Sequence, residues 1–250
     1  MKFQLRMIGS GSAFAKAYYN NNALVACNGY TLMIDCGILA PMALHKMNFP
    51  MNDIQGVLVT HLHADHIGGL EEYALRMKYM YQLRPSLYIE ENLIEPLWDD
   101  SLKAGLRYTV EGESTLRDFF DVVPLKCDVR QEIQPGLSVE LIRTKHFPNM
   151  PSYSVVLNDK VFYSGDMTFN RALLDEMFVR RQCVQVLHDC QLEGNGLVHS
   201  TLNELLSLPE EYQERILLMH YGDSMPDYMG KTGKMTFIEQ HKPYEFLAAP

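Results

Sequence analysis

The chain has 250 residues, of which 47% are hydrophobic and 21% charged, with a net charge of −9 and a pI near 5.5. That balance fits a folded protein with a substantial core and disfavours nonspecific binding to long nucleic acid, whose affinity rests on Lys and Arg neutralising phosphates. No run of about 18 or more apolar residues is present, which argues against a helical membrane span; the start, Met1 to Ile8, alternates like a strand without an apolar signal core, so a cytoplasmic location is expected.

In chain order, residues 3–8 read as a strand leading into Gly9-Ser10-Gly11-Ser12. This turn lacks the full glycine pattern, the lysine and the immediate helix of a phosphate loop. Residues 23–27 and 30–35 flank Asn28-Gly29, a pair that tolerates positive φ and marks a hairpin. The apolar run Gly56-Val57-Leu58-Val59-Thr60 is a short buried strand, and His61-Leu62-His63-Ala64-Asp65-His66 follows it directly. Three imidazoles and a carboxylate in six residues, in a chain with nine histidines, read as metal ligands at a strand end. Adjacent side chains diverge, so the four groups suit two neighbouring ions better than one.

Leu70, Tyr73, Ala74, Met77 and Tyr81 recur at helical spacing. Residues 86–90 read as a strand and 92–107 as a helix; 111–134 are ambiguous and leave room for an insertion. A strand over 137–145 ends at His146. Residues 153–157 and 160–164 form a hairpin across Asn158-Asp159 that ends at Gly165-Asp166. A helix is predicted over 171–178, a buried strand over 183–187 leading to His188-Asp189, a short helix over 202–208, and a strand over 215–219 ending at His220. Strand after strand thus ends in a potential ligand, and a layered sheet brings such ends to one edge. With no repeat, low-complexity tract or linker, one domain over residues 1–250 is expected. The five cysteines are odd in number, scattered and without a C-x-x-C pair, which fits reduced core thiols.

The ordered set of His61-Leu62-His63-Ala64-Asp65-His66, His146, Asp166 within Ser164-Gly165-Asp166, and His220 resembles the metal motifs of the metallo-β-lactamase superfamily over most of the chain. The resemblance implies an α/β (α+β) fold, an αββα sandwich of two mixed sheets flanked by helices. It also implies two metals, usually Zn2+ with Mn2+ or another divalent ion as the alternative, at the edge between the sheets. By that resemblance His61, His63 and His146 hold one metal, Asp65, His66 and His220 the other, and Asp166 bridges both. A bridging Asp and the spacing before it favour the phosphodiesterase side of the superfamily.

Leu187-His188-Asp189-Cys190 and His199-Ser200-Thr201 resemble the His-Glu-Ala-Thr and His-Ser-Thr segments of the ribonuclease Z-like branch, with Asp in place of Glu. The resemblance makes Asp189 and His199 a pair near the scissile phosphate; the competing reading is helix capping by Ser200 or Thr201. His188 is expected to support the fold or a ligand, and His45 and His241 to be structural or surface residues. Departures from ribonuclease Z are clear. Its amino-terminal Pro-x-Lys-x-Arg-Asn pattern is replaced by Ala15-Lys16-Ala17-Tyr18-Tyr19-Asn20, and no Gly- and Lys-rich arm interrupts the metal motifs. The pattern is more similar to the phage anti-Pycsar phosphodiesterases and their bacterial relatives, which destroy cyclic mononucleotide immune signals.

The expectation is therefore a dizinc phosphodiesterase that converts 3′,5′-cyclic mononucleotides (cCMP, cUMP, cAMP, cGMP) to linear nucleotides, against the alternative of a tRNA 3′-endonuclease. A non-catalytic scaffold is disfavoured because all seven ligands are present. In this reading Asp65 orients the attacking hydroxide and His199, held by Asp189, protonates the leaving oxygen. The partner is a small cyclic nucleotide, with no long nucleic acid and no membrane, and a homodimer is expected by resemblance. Tyr18, Tyr19, Tyr108 and Tyr153 are candidates for stacking a base or for packing, and Asn20-Asn21-Asn22 for contacting substrate or forming turns.

Overall fold

A computed structural model describes residues 2–247. Strand β1 (Lys2–Gly9) pairs antiparallel with β2 (Asn22–Cys27), which turns through Asn28 (φ 50°) and Gly29 (φ 79°) onto β3 (Tyr30–Ile34). Positive φ at both turn residues is what the right-handed strand twist requires of a two-residue hairpin. Helix α1 (Ala40–Lys46) then carries the chain to β4 (Gly56–Val59), parallel to β3. Next come α2 (Ala64–Ile67), α3 (Leu70–Leu75), β5 (Ser86–Glu90), α4 (Ile94–Leu97), α5 (Lys103–Leu106), a small hairpin of β6 (Tyr108–Thr109) and β7 (Gly112–Glu113), and β8 (Asp121–Leu125).

The second half supplies β9 (Gln131–Gln134), β10 (Leu137–Thr144), β11 (Ser152–Leu157), β12 (Val161–Tyr163), α6 (Arg171–Asp175), β13 (Gln185–Asp189), α7 (Leu202–Leu206), α8 (Glu210–Gln213), β14 (Ile216–Met219), β15 (Thr236–Phe237) and β16 (Pro243–Leu247). Two seven-stranded mixed sheets result, in the orders β16-β1-β2-β3-β4-β5-β8 and β15-β14-β13-β12-β11-β10-β9. The burial of alternating residues shows how they stack. Val155 and Leu157 join the large core containing Leu5, Val25 and Val57, whereas Val156 between them joins a second core with Leu174, Phe178 and Leu205. One face of the second sheet thus packs on the first sheet and the other on α6 and α7. The layers are those of a metallo-β-lactamase αββα sandwich.

Several boundaries differ from those expected. The stretch 111–134, ambiguous in sequence, supplies β7 of the small hairpin and then β8 and β9, the edge strands of the two sheets. The helix expected over 92–107 is present as one continuous helical run from Glu91 to Leu106, with a π-turn at Trp98–Leu102 between α4 and α5. Pro96 inside α4 removes one backbone donor there. Strand β13 starts at Gln185 and runs through His188 and Asp189, because the parallel ladder with β14 continues to the pair Asp189↔Met219. Among the described residues no helix is long and apolar enough to cross a membrane.

The functional edge follows from this topology. Strands β4, β12, β13 and β14 lie in the parallel halves of the two sheets, and each ends at or just before a polar residue: His61, Asp166, Asp189 and His220. The carboxyl ends of parallel strands are where open α/β sheets place ligands.

Candidate metal centre

Two groups of side chains meet at that edge, each with its donor atoms within 4.8 Å of one another. The first comprises His61, His63, His146 and Asp166; the second comprises Asp65, His66, Asp166 and His220. His63 Nδ1 lies 3.1 Å from His61 Nε2 and 3.2 Å from His146 Nε2. Asp166 Oδ2 lies 3.3 Å from both His66 Nε2 and His220 Nε2, and 3.8 Å from both His61 Nε2 and His146 Nε2. Asp65 Oδ2 is 3.3 Å from the same two nitrogens of His66 and His220. The structure therefore brings all seven expected ligands together, with Asp166 common to the two groups.

Local backbone explains how so short a motif serves two groups. His61 continues from β4 and His63 is the extended residue before α2, so their side chains turn towards the first group. Asp65 and His66 sit in the single turn of α2, which rotates them towards the second. His220 takes a positive φ of 57° immediately after β14.

The remaining nitrogens of these imidazoles are held by the protein. His61 Nδ1 is 3.1 Å from Thr60 Oγ1, His146 Nδ1 donates to the carbonyl of Val198 at 2.7 Å, and His66 Nδ1 donates to Asp35 Oδ2 at 2.7 Å. Such outer contacts fix the ring orientation of metal-binding histidines. Burial drives the imidazoles of His61, His63 and His146 below the ordinary histidine range, with the neighbouring histidines adding to it. They stay neutral and keep lone pairs to donate. In the second group burial opposes the charges, but the carboxylates of Asp166, Asp35 and Asp65 hold His66 well above its usual value. The imidazoles in turn hold Asp65 and Asp166 below the carboxylate range.

His66 Nε2 and Asp166 Oδ1 are buried without a hydrogen-bond partner. Orphaned buried polar atoms are costly, and His63 Nδ1 faces both His61 Nε2 and His146 Nε2 at 3.1–3.2 Å, where a single proton on His63 Nδ1 can serve only one of the two contacts. A field built by three carboxylates around an imidazole favours a cation at its free nitrogen, and the nitrogen and oxygen donors suit zinc. The residues fit a pair of divalent ions.

His199 stands beside the two groups. Its Nδ1 is 3.0 Å from Asp189 Oδ2 and 4.0 Å from Asp166 Oδ2, and its ring stacks on His220 with centroids 4.8 Å apart. Burial would lower its pKa, but the Asp189 carboxylate raises it. Asp189 is fully buried; burial would raise its pKa, yet hydrogen bonds from His188 and His199 hold it low. The capping expected as the competing reading is also present, carried by Thr201, whose hydroxyl and Glu204 form a capping box at α7. His188 Nδ1 bonds the carbonyl of Asp189 and lies 3.1 Å from its Oδ1, a supporting position. His241 is structural, bonding the carbonyl of Ile8.

A cavity of about 670 Å³ opens over His63, Asp65, His146, Asp166, His199 and His220, within the size range of small-molecule sites. Its aromatic lining is not the tyrosines singled out from sequence. Phe14 and Phe147 line it, whereas Tyr153 is buried, Tyr19 stacks near His241, Tyr18 packs edge-on against Tyr221, and Tyr108 lies in the β6–β7 hairpin. Asn20, Asn21 and Asn22 are buried and structural: Asn22 bonds Gly37 and the carbonyl of Asp65, Asn20 bonds Leu39, and Asn21 bonds Tyr163. Sequence reasoning missed Asp35. The available signal was a carboxylate directly after the buried run Leu32, Met33 and Ile34.

Comparison with known proteins places these features in context. A family model described as the anti-Pycsar protein Apyc1 matches residues 3–244. The anti-Pycsar protein Apyc1 of Paenibacillus xerothermodurans is 53% identical over 249 residues, spanning 100% of both chains. Among solved structures, the metallo-β-lactamase fold protein YhfI from Bacillus subtilis superposes with a TM-score of 0.75 at 16% identity, covering 98% of this chain and 99% of that one. A diphosphatase of the PhnP family gives a TM-score of 0.77 at 17% identity, covering 98% of each.

Proposed function

The chain belongs to the anti-Pycsar protein Apyc1 family, and from that membership and its paired clusters we propose that it is a dizinc phosphodiesterase that opens 3′,5′-cyclic mononucleotides. The observation that carries this reading is the single carboxylate of Asp166 common to two donor groups beneath one cavity. His61, His63, His146 and Asp166 would hold one ion, and Asp65, His66, His220 and Asp166 the other. Ions bound there supply Lewis acidity towards phosphoryl oxygens and make hydroxide accessible near neutral pH.

The protein's own groups do the rest. Asp65, at the cavity floor, orients the attacking oxygen, and His199 faces the same space with its Nδ1 occupied by Asp189. That pairing favours the imidazolium and leaves Nε2–H to protonate the departing 3′-oxygen. One water is consumed: its oxygen bonds to phosphorus, the bond from phosphorus to the 3′-oxygen breaks, and a nucleoside 5′-monophosphate results. The homodimer expected by resemblance belongs to the same proposal and is tested by the molar mass of the protein in solution.

The experiment is incubation of zinc- or manganese-loaded protein with cyclic AMP, GMP, CMP and UMP beside precursor tRNA. Linear 5′-monophosphates are the expected products. Cleavage of tRNA alone overturns the reading.

A further inference from the structure

The loop between β1 and Asn20 overhangs the cavity and carries an unusual side chain at its tip. Phe14 is 87% exposed, whereas its neighbour Ala15 is 3% exposed. Phe14 lines the cavity together with Ser12 and Ala13 from the same loop. An aromatic ring this open has no packing of its own to hold it, so the backbone alone sets where it stands.

That backbone is fastened to the segment directly after His220. Ser12 N donates to the carbonyl of Tyr221 at 3.0 Å, and the ring of Tyr18 meets Tyr221 edge-on at 5.0 Å. The Asp223 carboxylate then accepts from two successive amides. Lys16 N is 2.9 Å from each of its oxygens, and Ala17 N is 2.8 Å from Oδ1. These amides keep the Asp223 carboxyl below its ordinary range. The neighbours of this carboxylate, Gly222 and Ser224, themselves line the cavity. Asp223 is exposed and supports no core, so its three bonds serve the loop rather than the fold. Gly11, at the base of the loop, permits the fold-back, since a Cβ there would come within 2.7 Å of Tyr18 Cβ and 2.9 Å of Ala15 Cβ.

We propose that Asp223 is a positioning residue for substrate: by clasping the amides of Lys16 and Ala17 it sets Phe14 at the cavity mouth, where the ring stacks on the planar base of the nucleotide. The base contact rests on the function proposed above; the clasp does not. Stacking accepts purines and pyrimidines alike, because every base presents a π-face. Phe147, half-exposed and edge-on to His63 and His146, gives the same cavity a second apolar surface next to the first donor group.

Two measurements test this on the full chain. Hydrogen exchange reports the amides of Lys16 and Ala17, which are protected in the parent protein, lose protection in Asp223→Ala and regain part of it in Asp223→Asn, whose amide oxygen still accepts. Steady-state kinetics with the four cyclic mononucleotides report the contact. Phe14→Ala raises KM about tenfold, Phe14→Tyr preserves it, and Asp223→Ala raises KM several-fold with kcat within about twofold and zinc content unchanged. Unprotected amides in the parent protein overturn the clasp, and an unchanged KM in Phe14→Ala overturns the contact. A parent protein that cleaves none of the four substrates removes the proposed function and the base contact with it, while exchange still decides the clasp.

Discussion

Asp35 Oδ2 accepts a 2.7 Å hydrogen bond from His66 Nδ1, although the two residues are 31 positions apart and lie at the ends of different elements. The same carboxylate accepts from Thr60 N at 2.8 Å and Thr60 Oγ1 at 2.7 Å. Asp35 follows β3 with a φ of 59°, which turns its side chain across to the end of the parallel neighbour β4. It thereby fixes His66 with Nε2 aimed at Asp65 and Asp166.

Asp35→Asn is therefore expected to damage one donor group and spare the other. The amide's one oxygen cannot accept from both Thr60 N and His66 Nδ1, which use different oxygens of the carboxylate. With Thr60 N keeping it, the NH2 faces Nδ1 and forces the proton onto Nε2, where the second ion needs a lone pair. Affinity for one of two zinc ions falls about 10–100-fold while the first is retained. Chelator competition with metal counting per chain measures this, and equal affinities for both ions would remove Asp35 from the centre.

His199→Ala separates chemistry from metal binding. His199 is bonded to Asp189 and belongs to neither donor group. Turnover should fall by about 10²–10⁴, the usual contribution of a general acid, with two zinc ions still bound. Parallel loss of zinc and activity would instead make His199 a structural support for His146 and His220, whose rings it touches.

How much of this was legible in the sequence depends on distance along the chain. The hexapeptide at His61 and the strand-end positions of His146, Asp166 and His220 are local patterns, because an apolar run that stops at a ligand is visible in one window. Asp35 also closes a buried run, but what it does is not local, since no window records the parallel pairing of β3 with β4 that brings it to His66; Asp223 acts between loops and has no such signal at all. Strand β16 escaped for a different reason. Its five residues alternate exposed and half-buried positions at the sheet edge, and it opens with Pro243, so no buried apolar run announces it. Tyrosine was favoured over phenylalanine as the base platform, yet Tyr153 is buried, Tyr18 and Tyr19 pack on Tyr221 and His241, and Tyr108 stands in the β6–β7 hairpin, so none of the four lines the cavity.

Arg181 ties the outer helix layer to the second sheet. Its guanidinium grips Glu140 of β10 with bonds of 2.7 and 2.9 Å and also meets Glu176 at 2.9 Å. Glu140 is 7% exposed, so truncation of its partner leaves a carboxylate nearly out of water. Because Arg181 itself is partly solvated, the cost of Arg181→Ala is about 2 kcal/mol rather than the full value for a dry pair. For a chain of this size that is a fall in Tm of roughly 4–8 °C. Arg181→Lys, which keeps the charge without the two-pronged geometry, should fall between; a Tm equal to the parent's in Arg181→Ala would show the pair to be inert.

The cysteines predict an alkaline limit to stability. Burial pushes the Cys183 thiol up from 9.0 to about 11, against the opposing pull of Arg181, Lys160 and Arg215. A thiol raised in the folded state is ionised first in the unfolded chain, so its contribution is complete below pH 9.0 and declines as pH rises towards about 11. Native protein at pH 8 should expose Cys127 alone to a thiol reagent, since the other four are buried, and all five after denaturation. Rapid reaction of a second thiol in the native state would contradict that packing.

Gly37 tests the link between the fold and the second donor group most directly. A Cβ built there would collide with the backbone carbonyl of Asp65, and Asn22 locks the two segments by accepting from Gly37 N at 2.9 Å and donating to Asp65 O at 3.2 Å. The obstacle is main chain, which cannot swing aside as a side chain could. Gly37→Ala should therefore push α2 outward, lowering stability by about 3 kcal/mol and weakening the ion held by Asp65 and His66. Gly29→Ala supplies the contrast: its Cβ meets nothing within 4 Å, and only the positive φ of 79° resists it. That variant should lose about 1 kcal/mol with both ions retained. Thermal melts and zinc counts on the two proteins distinguish a general loss of stability from displacement of Asp65, and full zinc binding by Gly37→Ala would show that α2 tolerates the shift.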